Sequence, residues 1–116
     1  MTTGSLLAAF IAFQWALALF RVGHQARLAK KVYGWHHVVG GLGPGLLMLH
    51  STRAGYGYLA ILSTCFLINL GLGAFNHHNV PTLRAHKELW VVSHVALSLV
   101  VVTLGAYHAW TALWFE

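Results

Sequence analysis

Residues 89–116, LWVVSHVALSLVVVTLGAYHAWTALWFE, carry a single formal charge, Glu116 at the very end. A run that long and apolar belongs either in a lipid bilayer or in a deep protein core. Composition decides between the two. Hydrophobic residues make up 58% of the chain and charged residues 8%, with a mean hydropathy of +0.66, against about 25% charged in an ordinary globular domain. The expectation is an integral membrane protein in contact with lipid. A net charge of +5 would otherwise suggest a nucleic-acid partner. Arg21, Arg27, Lys30 and Lys31, however, cluster in one short stretch rather than along a face interleaved with aromatics. That cluster reads as a topology signal, and no nucleic-acid binding is expected.

Four spans are expected, at about residues 5–22, 34–51, 56–76 and 87–115, giving an all-α transmembrane four-helix bundle in a single domain of residues 1–116. The first apolar run has no basic segment before it and its charges follow it, which marks a spanning helix rather than a cleaved signal. The connection GHQARLAKKVYG and the loop HHNVPTLRAHKE, with Arg84 and Lys87, are placed on the cytoplasmic side by their positive charge. Both termini and the Arg53 loop then fall on the opposite side, and a bacterial inner membrane is the expected location. The second span contains GGLGPG, where Pro44 removes an intrahelical hydrogen bond and the glycines weaken the helix, so a kink is expected. Trp110, Trp114 and Phe115 close the last span as an aromatic belt.

The candidate functional residues are histidines. His94 and His108 stand fourteen positions apart in the last span, and His36 and His50 repeat that interval in WHHVVGGLGPGLLMLHS. On a helix the interval returns the second side chain to within about 40° of the first, roughly 21 Å further along the axis. One face of each helix therefore carries an imidazole near either end. The second and fourth spans run the same way across the membrane, so His36 matches the depth of His94 and His50 that of His108. The neighbouring His37 is disfavoured, because its interval to His50 rotates the ring by about 220°.

Ionisable groups inside spans are costly and point to function. Neutral imidazole is a common axial ligand of haem iron, and one iron takes two such ligands. The expected cofactors are two non-covalent, bis-histidine haem b groups, with His36 and His94 on the inner iron and His50 and His108 on the outer one. Cys65 stands alone, and the chain has no C-x-x-C-H for covalent attachment. Both axial positions being filled favours electron transfer over chemistry at the iron.

Small residues accompany these pairs. Gly40 and Gly43, with Leu47, share the face of His36 and His50; Ser98 and Gly105, with Val101, share that of His94 and His108. Gly57 and Gly71 in the third span are also fourteen apart, with Thr64 midway. Small residues commonly mediate helix contact in membranes; beside the histidine pairs they read as room for a porphyrin edge. Arg53 outside, and Lys30, Lys31, Arg84 and Lys87 inside, are candidates to meet propionates. His77, His78 and His86 form a separate loop group for which a metal or quinone site is conceivable. Glu88 and Glu116 are the only acids, so hydrolytic chemistry has almost no apparatus and no catalytic residue is assigned.

Over residues 33–116 the chain resembles the membrane di-haem cytochrome b superfamily: the four-helix core of quinol-oxidising cytochrome b, the membrane domains of ferric reductases and small bacterial b-type cytochromes. The resemblance rests on His36-x13-His50, His94-x13-His108 and Gly57-x13-Gly71. It implies a bundle in which helices two and four face each other across two stacked haems, with electrons passing from one haem to the other. The first helix departs from the pattern, having no comparable glycine pair, and so does GGLGPG. The function expected is that of a transmembrane electron-transfer protein or the membrane subunit of an oxidoreductase. Its donor and acceptor would be separate, with quinone or a redox protein as candidates, and homo- or hetero-oligomerisation is left open. The alternative is a membrane transporter or anchor subunit that binds a divalent metal through histidines.

Overall fold

The computed structural model describes residues 2–53, 55–75 and 80–115, with the side chains of residues 2, 83 and 84 outside the description. Among the described residues every regular element is helical: α1 (Thr2–Val22), α2 (Ala26–Gly40), α3 (Gly43–His50), α4 (Tyr58–Ala74), α5 (Pro81–Arg84) and α6 (Lys87–Phe115). The chain divides into two compact units, Met1–Thr52 and Arg53–Glu116.

In the first unit α1 packs on α2 and α3. The reversal after α1 is tight, because His24 takes the left-handed conformation at φ 56°. Gln25 N then donates to Phe20 O at 2.9 Å and His24 N to Arg21 O at 3.2 Å, the paired bonds that close a helix C-terminus. Helix α2 starts immediately, at Ala26, so Arg27, Lys30 and Lys31 lie on helix where a loop was expected. Arg21 stacks its guanidinium over the Tyr33 ring at 5.9 Å beside this turn.

The expected kink is a short break between α2 and α3. Gly41 and Leu42 keep right-handed helical angles (φ −61°, ψ −20° and φ −80°, ψ −14°), but Leu42 N bonds Val39 O, one residue closer than in an α-helix, at 2.9 Å. Pro44 then sits in the first turn of α3, where a missing N–H removes no intrahelical bond. The break does not slip the packing register. Arg21 meets Tyr33, Gln14 meets Gly40 and Gly4 meets His50, so equal steps down α1 match equal steps up α2 and α3. Phe10 and Leu17, each 7% exposed, line the α1 side of this hairpin.

In the second unit α4 packs on α6, with Phe66 and Val101 buried between them at 6% and 4% exposure. Gly57, expected inside the third helix, instead precedes α4 as its cap at φ 58°. Gly55, at φ 75°, has no room for a side chain, since a Cβ there would lie 2.6 Å from that of Leu59. Helix α6 runs uninterrupted for 29 residues. Residues Thr3–Val22 and Lys87–Phe115 are long and apolar enough to cross a membrane, while Tyr58–Ala74 is a shorter apolar helix.

Candidate functional site

Both histidines of α6 sit on the side that α4 covers, and both are held by the same device. Ser98, one turn after His94, donates its hydroxyl to the His94 carbonyl at 2.8 Å, and Asn69 of α4 donates its amide to the Ser98 oxygen at 2.8 Å. Thr111, three residues after His108, donates to the His108 carbonyl at 2.9 Å. Its hydroxyl proton being so used, the 3.3 Å contact with Tyr58 of α4 is a donation from the tyrosine. In each case a side chain of α4 reaches the histidine's own backbone through a hydroxyl on α6.

The rings are packed as well as tethered. Trp90 stacks on the His94 imidazole, with centroids 5.3 Å apart and planes 11° from parallel, and its indole N–H donates to Leu72 O at 3.0 Å. A Cβ added at Gly73 would meet His94 Cε1 at 3.6 Å, so the ring lies close against the α4 backbone. Tyr58 lies 6.4 Å from the His108 ring and 5.1 Å, edge-on, from Tyr107.

In the first unit the helix opposite the histidines is α1. A Cβ added at Gly4 would come within 3.3 Å of His50 Cε1, tighter than ordinary contact. Gln14 reaches His36. With its amide oxygen turned toward the Gly40 N–H, the orientation that gives each amide atom a complementary neighbour, Gln14 accepts from Gly40 N at 3.1 Å. Its Nε2 then donates to His36 Nδ1 at 2.7 Å and to His36 O at 3.3 Å. His37 turns elsewhere, its ring 4.9 Å from Tyr33 in an edge-on contact, so of the two adjacent histidines it is His36 that faces α1. The Nδ1 atoms of His50, His94 and His108 are sealed from solvent.

Of the accompanying residues, Gly43 is buried and Gly40 half-buried, the latter against the Gln14 amide. A Cβ at Gly57, Gly71 or Gly105 would meet nothing within 4 Å. Arg53 is exposed. His86 is exposed on the turn before α6, while His77 and His78 lie outside the described residues. No group of three or more His, Cys, Asp or Glu side chains among the described residues could hold a metal ion by itself. Gln14, Asn69, Tyr58, Trp90, Gly4 and Gly73 were not singled out by spacing. The polar ones did carry a signal, since an amide in the middle of an apolar helix needs a partner.

Compared with family models, curated proteins and solved structures, the chain finds no match.

Proposed function

We propose that this chain is a membrane-embedded di-haem b-type cytochrome that carries electrons across the bilayer between a separate donor and acceptor. The observation that carries the reading is the treatment of the four spaced histidines. Each is held by the helix packed against its own within the same unit, α1 or α4: His36 by Gln14, His50 against Gly4, His94 by Asn69 through Ser98, and His108 by Tyr58 through Thr111. Axial ligands need this fixing, because ring orientation and the nitrogen offered to iron are set by contacts beyond the metal. Three of the four rings keep Nδ1 on the protein side, which suits ligation through Nε2.

The residues also fit the shape of the group. Gly71 and Gly105 leave open space where a side chain would stand, as a flat macrocycle edge requires. A porphyrin brings four of the six iron ligands itself, so two histidines per iron suffice and no larger protein cluster is called for. His36 with His94 would hold one haem and His50 with His108 the other, and bound haem supplies reversible one-electron chemistry. Arg53 is placed in sequence to meet a propionate beyond His50. Leu6, Leu19, Val92, Leu99, Leu113 and Trp114 are each more than half exposed, an outer surface suited to lipid, with Trp110 and Trp114 in contact near the end of α6 as an interfacial anchor.

The test is direct. Protein purified in detergent is expected to be red, with a low-spin b-type reduced-minus-oxidised spectrum and two haems per chain by pyridine haemochromogen. A colourless preparation that binds zinc would overturn the reading in favour of a divalent-metal protein.

A further inference from the structure

Gln14 stands in the middle of α1, in AFIAFQWALA, where the flanking residues are apolar. Burying an amide without partners is costly, and its partners here are specific. His36 O and Gly40 N are the acceptor and donor that an α-helix joins to each other, and the Gln14 amide meets both, at 3.3 and 3.1 Å. It therefore clasps the last turn of α2, directly before the ladder tightens at Leu42. Beyond that point Pro44 has no N–H to offer the carbonyl of Gly40. In an apolar surrounding such a helix end is held by neighbouring side chains, and Gln14 supplies partners to His36 O and Gly40 N in its last turn.

In the orientation that satisfies both of these backbone groups, Gln14 Nε2 lies 2.7 Å from His36 Nδ1. A donated N–H requires a lone pair at Nδ1, which puts the proton of the neutral ring on Nε2. We propose that Gln14 is a positioning residue that holds His36 with Nδ1 as acceptor and ties the state of that ring to the end of α2. The consequence for ligation rests on the cytochrome reading. For Nε2 to take iron, the ring proton must move from Nε2 to Nδ1. The Gln14 amide must then turn its oxygen to the new Nδ1–H and release the Gly40 amide. Haem loading at His36 would thus be coupled to the break between α2 and α3, a break that α6 does not have.

The test uses the full chain in detergent, freed of haem and labelled with nitrogen-15 at histidine and glutamine. The expected spectrum has His36, identified by its loss in His36→Ala, unprotonated at Nδ1, with a through-hydrogen-bond coupling between that nitrogen and Gln14 Nε2. In Gln14→Leu the His36 Nδ1 resonance should shift away from its wild-type hydrogen-bonded position, and the Gly40 amide should exchange at least about tenfold faster. A wild-type His36 carrying its proton on Nδ1, or a Gln14 side-chain amide exchanging as fast as a free one, would overturn the proposal. Because every readout is taken without haem, a chain that takes up no haem refutes the cytochrome reading alone.

Discussion

The two hairpins support the same histidine spacing by different physical means. In the second, α6 is one uninterrupted helix, and its histidines are gripped through side-chain hydroxyls at Ser98 and Thr111 that fold back onto the carbonyls of the same helix. In the first, the histidine-bearing segment is broken at Gly41–Leu42, and a single amide from α1 spans the turn before the break. A continuous helix already satisfies its own backbone, so its neighbour has only to orient the ring. A broken one needs its neighbour to supply backbone partners too. The comparison teaches that equal spacing of two histidines in sequence does not imply equal support.

The largest expected effect on the proposed haem ligation is that of removing a ring. His36→Ala and His94→Ala should each lower haem content from two per chain to one and eliminate the same spectral species, while His50→Ala and His108→Ala should eliminate the other. Loss on His37→Ala with retention on His36→Ala would reverse the assignment. Next come the glycines behind the rings. Gly4→Val forces a side chain into the 3.3 Å gap at His50, and overpacking of about 1–3 kcal/mol corresponds to about 5- to 150-fold weaker haem uptake at that site. Gly73→Ala, at an ordinary 3.6 Å from His94, should leave a haem titration nearly unchanged.

A smaller effect is expected at the hydroxyl relay. Ser98→Ala takes the acceptor from the Asn69 amide, at about 1–3 kcal/mol for an unsatisfied group, and should lower the thermal midpoint in detergent. Adding Asn69→Leu should recover part of that loss, since both polar partners are then gone. The smallest concerns the break itself. Pro44→Ala restores an N–H able to bond Gly40 O, and should slow hydrogen exchange at residue 44 while changing stability by under about 1 kcal/mol and leaving two haems bound. Should it abolish one haem instead, the bend would be part of the ligand geometry.

Much of the helical layout was legible in the residues. Apolar runs bounded by charge located α1, α4 and α6, and Pro44 with its glycines announced the interruption between α2 and α3. The extent of α2 was less legible. Arg27, Lys30 and Lys31 read as loop because they are charged, yet they are good helix formers, and the tight closure at His24 leaves no residues for a loop. Gly57 fitted a helical interval by number, but its left-handed backbone sets it before α4 rather than on its face. Counting positions cannot tell a helical glycine from one in a turn.

By itself the sequence determined the all-helical class, the two long apolar helices and the matched intervals His36 to His50 and His94 to His108, because hydropathy and helical pitch are local properties that a string of residues already contains. Tertiary structure alone decided which groups hold those rings. Gln14 and His36, Gly4 and His50, Asn69 and Ser98, and Tyr58 and Thr111 lie far apart in the chain and meet only because each pair of helices packs antiparallel in a particular register. That register is set by the closing turns and the interlocking of side chains, which no local pattern encodes.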